Sequence, residues 1–128
     1  MELGEWGCKP WNNLILRPIP QWKDYGVKPL EYTVSNDGEG NTILTARLPY
    51  NAQMTPVIDL DAAEEGVLVK METDHIMGGS EPCVRAEYIT RKGSQKYESL
   101  GWMNGDELRV IYPENAGITF NSLGYRET

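Results

Sequence analysis

From Thr42 to the end of the chain, apolar and polar residues alternate with a period of two, and a turn signal interrupts them about every 8–12 residues. In "TILTARLP", Leu44, Ala46 and Leu48 fall on one side and Thr45 and Arg47 on the other. Successive side chains of a strand point to opposite faces, so this is the signature of a half-buried strand. "TPVIDLD", "GVLVKMET", "CVRAEYIT", "QKYESLG", "DELRVIY" and "ITFNSLGYR" follow the same rule with β-branched and aromatic residues. They are separated by "PYNAQ", "AEEG", "MGGSEP", "RKGS", "MNGD" and "PENAG". Such spacing predicts an all-β fold, an antiparallel β-sandwich (jelly-roll-like) of seven to nine strands. "DAAEEG" has room for one helical turn, and nothing longer is supported.

The first 41 residues lack this pattern. They hold four of the eight prolines, Pro10, Pro18, Pro20 and Pro29, in "CKPW" and "LRPIPQWKDYGVKPL". Proline fixes φ and offers no amide donor, so residues 1–41 read as an irregular, proline-rich N-terminal arm with one edge strand at 14–17. Residues 42–128 read as the sandwich core, and the whole of 1–128 as a single domain, large enough to enclose one core.

Charge narrows the partners. With 12 basic and 19 acidic residues the chain carries −7, and its longest basic group is Arg91-Lys92, so a nucleic-acid surface is excluded. A neutral or weakly charged partner fits better. No apolar run approaches the length of a membrane span. "MELGEWGCKPWNN" lacks the basic start and apolar stretch of a signal peptide, which suits a cytoplasmic protein or an internal segment of a longer chain. Cys8 and Cys83 can pair or remain free thiols, and do not locate the protein.

No constellation for stand-alone catalysis emerges. The single histidine, His75, lies in the loop-like "ETDHIMGGS" beside Asp74, with no nucleophile elbow, and neighbours on a strand would point apart. One histidine and two distant cysteines supply a transition metal poorly. "SNDGEGN" has the composition of a loose calcium loop without EF-hand spacing, and reads more simply as an Asx/Gly turn. No metal and no cofactor are expected. Glu98, Asp106 and Glu107 flank "GWMNG", but among 19 acids no spacing singles out the opposed pair that glycoside hydrolysis needs. Asn104-Gly105 suits a type I′ turn joining arms 97–103 and 106–112 as a hairpin. Four tryptophans and seven tyrosines could stack on sugars, although many must fill a core this size. Tyr50 and Trp22 read as packing anchors. Trp102, Asn104, His75 and Tyr88 are the candidate contact residues, for carbohydrate or for another domain.

Several multi-residue words, "LRPIPQWKDYG", "LPYNAQMTPVIDLDA", "VRAEYITRKGSQKYESLGWMNGDELRVIYP" and "LGYRET", resemble a segment of bacterial α-L-rhamnosidase-like glycoside hydrolases over about residues 14–128. The resemblance implies a non-catalytic β-sandwich preceding an (α/α)6 catalytic barrel that is not in this sequence. The general acid and base of such enzymes lie in that barrel, so none is carried onto any residue here. The expected role is to pack against the barrel of the same parent chain and shape its cleft. The expected ligand is then a rhamnose-containing carbohydrate, and the parent periplasmic or secreted. The alternative is a free-standing carbohydrate-binding module that uses exposed aromatics.

Overall fold

The computed structural model describes residues 14–21, 23–76 and 82–127. It contains eight strands: β1 (Val27–Leu30), β2 (Tyr32–Asn36), β3 (Asn41–Ala62), β4 (Leu68–Ile76), β5 (Pro82–Ile89), β6 (Gly93–Glu98), β7 (Met103–Pro113) and β8 (Ile118–Glu127). Every pairing is antiparallel. The expected all-β class, strand number and sandwich are all observed.

β3 organises the fold. Its 22 residues read in sequence as two strands separated by a "PYNAQ" turn, yet it runs without reversing. Its first part lies between β2 and β7, and its second between β8 and β6. One layer is therefore β2-β3-β7-β4-β5 and the other β1-β8-β3-β6, with β3 passing from one to the other. The crossing is at 48–51, where the pairing jumps from Arg47–Glu107 to Ala52–Gly105. Four residues of β3 thus face the single Asp106, a β-bulge that bends the strand. The four-residue interruption preserves parity: Leu44, Ala46, Leu48, Ala52, Met54, Ile58, Leu60 and Ala62 are all buried. One face of β3 meets the core along its whole length, which is how the alternation survives a change of layer.

The core fills the space between the layers, with Val69 and Met71 of β4, Leu108 and Val110 of β7 and Leu123 of β8 each at most 1% exposed. Tyr112 and Phe120 stack with centroids 5.3 Å apart.

Three local expectations are corrected. Asn104-Gly105 is not a turn but part of β7, paired with Gln53 and Ala52. The irregularity falls instead at 99–102, so β6 and β7 follow one edge of β3 in succession and are not hairpin arms. Gly105 is needed for space: a Cβ there would lie 2.7 Å from Asp74 Oδ1 and 2.8 Å from Thr73 Cβ. The 14–17 edge strand is absent, and the sandwich begins earlier than Thr42, since β1 and β2 lie within the supposed arm. β1 is an edge strand paired only with β8, a place where Pro29 is tolerated. "DAAEEG" forms the end of β3 and a bend, not a helical turn. "AEEG", "RKGS" and "PENAG" do turn, with Gly66 and Gly93 at positive φ. "MGGSEP" lies largely outside the described residues, as do Cys8 and Trp22.

Candidate functional site

The C-terminal end of β8 collects charged and aromatic side chains from four segments. Arg126 donates from Nε to Glu98 Oε1 of β6 at 2.6 Å and from Nη1 to Asp24 Oδ1 and Oδ2 at 2.6 and 2.7 Å. Thr55 of β3 donates its hydroxyl to the same Glu98 oxygen at 3.1 Å. The register explains the meeting, because Thr55 is the cross-strand neighbour of Arg126. Asp24 also accepts the Gly26 amide at 2.8 Å, so the arm turns back on itself just before β1. These bonds hold the Glu98 carboxyl below its ordinary pKa, chiefly through Arg126; Asp24 is lowered first by the Gly26 amide and then by Arg126. Arg126 becomes harder still to deprotonate.

The next residue, Glu127, accepts a 2.5 Å hydrogen bond from the Tyr50 hydroxyl and lies 3.7 Å from Lys28 Nζ. The hydrogen bond to this carboxylate pushes the Tyr50 pKa up to about 12, helped by burial and, least, by Tyr125 and Tyr25. Tyr50 stands on the β3 bulge, not in the core as a packing anchor, and is half-exposed. Tyr25, beside the tethered Asp24, is 52% exposed, and Lys23 Nζ sits 5.1 Å from its ring centre. Trp102 is 59% exposed and Leu100 fully so, on the 99–102 connection that begins one residue after Glu98. The Ser99 amide donates to the Pro56 carbonyl, and Met103 pairs with Met54, so this connection lies alongside Thr55. Tyr25, Tyr50 and Trp102 are thereby carried on segments that meet the end of β8, Tyr50 through Glu127 and the other two through neighbours of the Arg126 bonds.

Of the four candidate contact residues, Trp102, Asn104, His75 and Tyr88, only Trp102 belongs to this group. Asn104 lies two residues along, within β7 and opposite Gln53. His75 is on β4 and not in a loop; its side chain lies outside the described residues. The adjacent Asp74 turns its Oδ1 to the amides of Asp106 and Glu107, at 3.0 and 3.1 Å, and so holds β7 where it faces the β3 bulge. Tyr88 is an internal strut: it stacks on Tyr97 at 4.6 Å and donates to Gln95 Oε1 at 2.7 Å. Gln95, buried, also accepts the Arg91 amide and donates to the Arg91 and Gly93 carbonyls, closing the β5–β6 turn. Sequence reasoning missed Arg126, Asp24 and Tyr25, because residues 102 positions apart meet only through the β1–β8 and β3–β8 pairings.

Among the described acids no carboxyl is marked out as a general acid. Those whose pKa moves, Asp24, Asp37 and Glu98, all move down, whereas a general acid needs the opposite shift. Asp37 accepts the Glu39 and Asn41 amides and the Asn41 side chain, so "SNDGEGN" is an Asx-stabilised turn. Among the described residues no group of three His, Cys, Asp or Glu is placed to hold a metal.

No family model and no curated protein matches the chain. Among solved structures, it is similar to the carbohydrate-binding module CBM6cm-2 of Cellvibrio mixtus lichenase 5A, solved with cellotriose. That alignment has 12% identity and a TM-score of 0.44, and covers 82% of this chain and 92% of the module. The C-terminal CBM6 of LamC from Zobellia galactanivorans aligns at 10% identity and a TM-score of 0.46, over 81% and 93% of the two chains. Likenesses this distant assign no ligand here, and the α-L-rhamnosidase-like parentage rests on the sequence words alone.

Proposed function

We propose that this β-sandwich is a non-catalytic carbohydrate-binding domain that receives its ligand at the Arg126 end. The observation that carries the reading is that Tyr25, Tyr50 and Trp102, each about half-exposed or more, all stand on segments joined to the end of β8: Tyr25 follows Asp24, which binds Arg126, Tyr50 binds Glu127, and Trp102 lies on the connection that follows Glu98. Sugars present apolar C–H faces and a rim of hydroxyls. Aromatic rings take the former, and carboxylates with guanidinium N–H groups take the latter. The cluster is held by its own hydrogen bonds, so binding would not have to order it. Titrating the chain with oligosaccharides while following tryptophan fluorescence tests this. Quenching or a blue shift that disappears in Trp102→Ala and weakens in Tyr50→Ala is expected; an unchanged signal in both variants overturns the proposal.

A second reading, favoured by a separate observation, is an accessory domain of an α-L-rhamnosidase-like hydrolase. Leu14, Ile15 and Leu16 are 80–89% exposed on an extended segment, as expected of a surface that another domain covers. The adjoining reading frame of the parent decides it: repeated amphipathic helices support the reading, and their absence refutes it.

A further inference from the structure

The seam between the layers carries a cation that has no partner among the described residues. β1 belongs to one layer and β2 to the other, yet only Glu31 separates them, so the chain steps between layers in one residue. β3 crosses at its 48–51 bulge on the opposite side of the step. Two adjoining depressions mark this seam, and both are lined by Glu31 and Arg47. One, of about 460 Å³, continues past Tyr32, Thr45 and Glu107. The other, of about 510 Å³, continues past Lys28, Pro49 and Tyr125, and so reaches the residues that bind or precede Glu127 and Tyr50.

Arg47 differs from the two other strand arginines whose side chains are described. Arg109 is held by Glu107 at 2.9 Å and Glu72 at 3.7 Å, and Arg126 by Glu98 and Asp24. Among the described residues no carboxylate pairs with exposed Arg47, and its cross-strand partner Glu107 is already taken by Arg109. Glu31 is the remaining acid on the walls, and its oxygens can accept hydroxyl groups.

We infer that this seam binds a carboxylated saccharide, with the uronate carboxylate paired to the Arg47 guanidinium and the neighbouring ring against Tyr32; this rests on the carbohydrate reading above. The fork of guanidinium N–H donors matches a carboxylate in two parallel hydrogen bonds. The net charge of −7 opposes a polyanion at long range, but beyond about 8 Å that repulsion is screened at physiological salt. Within the depression Glu107 is paired with Arg109, so selectivity lies in Arg47 set against Glu31.

The experiment is calorimetric or fluorescence titration of the whole chain with trigalacturonate and, in parallel, its methyl ester, which has the same rings without the charge. Trigalacturonate is expected to bind about tenfold more tightly, a preference that shrinks with added salt. Arg47→Gln is expected to abolish the preference and Arg47→Lys to keep part of it, both with unchanged circular dichroism. Equal affinity for acid and ester, or a preference that survives Arg47→Gln, overturns the charge assignment alone. If neither compound nor any neutral oligosaccharide binds, the carbohydrate reading itself fails.

Discussion

Replacing Gly105 with alanine should destabilise the domain even though Gly105 has an ordinary strand φ. The added Cβ would lie 2.7 Å from Asp74 Oδ1 and 2.8 Å from Thr73 Cβ, well inside ordinary contact. Neither neighbour can yield freely. Thr73 is fully buried, and Asp74 Oδ1 is held by the Asp106 and Glu107 amides. Overpacking at such a site costs about 1–3 kcal/mol. Displacing the carboxylate would instead forfeit a charged hydrogen bond of about 1.5–3 kcal/mol. The structure takes the cheaper course, so the expected loss is about 1–3 kcal/mol, or roughly 4–12 °C in Tm for a domain of this length. Urea and thermal denaturation followed by circular dichroism measure it. Gly105→Asn sharpens the test, because asparagine suits a type I′ turn but brings the same Cβ. Gly105→Asn should therefore be at least as damaging as Gly105→Ala. A Tm within about 2 °C of the parent for the asparagine variant would refute the close-packing account and restore the turn.

Other consequences follow from the same contacts. Glu98 titrates below its ordinary 4.5 because Arg126 binds the ionised form, so its contribution to stability is present above that value and is lost as pH falls through the depressed one. Tm measured from pH 6 down to pH 3 should fall less steeply in Arg126→Gln; parallel profiles would contradict the coupling. Tyr50, raised to about 12 by Glu127, favours folding below the ordinary tyrosine value of 10.0, and that advantage disappears as pH rises through 12. Ultraviolet titration should show Tyr50 among the late tyrosines, with buried Tyr112, and only the Tyr50 step should move to lower pH in Glu127→Gln. Gln95→Leu strands the Tyr88 hydroxyl and the backbone groups of Arg91 and Gly93, and should cost about 2–4 kcal/mol in urea unfolding. Tyr88→Phe should cost about 1 kcal/mol and leave ligand titrations unaltered, as befits an internal strut.

The class of fold was legible because burial on one face imposes a period of two, and residues such as Leu44, Ala46 and Leu48 carry it openly. Connectivity was not. "PYNAQ" and "MNGD" have turn composition, but a bulge and a close strand contact ask for the same residues: Pro49 and Tyr50 lie in the β3 bulge, and Gly105 makes room for Asp74. Nothing local separates a glycine that turns the chain from one that admits a neighbour. Strand β1 was hidden by Pro29, which an edge strand accepts. Trp102 was found as a candidate because its surroundings are short and polar, whereas Tyr88 has the same aromatic character but spends it on Tyr97 and Gln95. The Arg126 cluster was invisible because it joins residues 24, 55, 98 and 126, whose proximity exists only after β3 has paired on both edges.

The proposed carbohydrate site is tested most directly by amide and indole chemical-shift mapping of isotope-labelled protein during saccharide titration. Saturable shifts concentrated at the Trp102 indole, Tyr25, Tyr50, Glu98 and Arg126, extending along the seam to Arg47 for an acidic sugar, are the predicted result. Saturable shifts confined to β4 and β5, or none at millimolar ligand with any sugar, would contradict it.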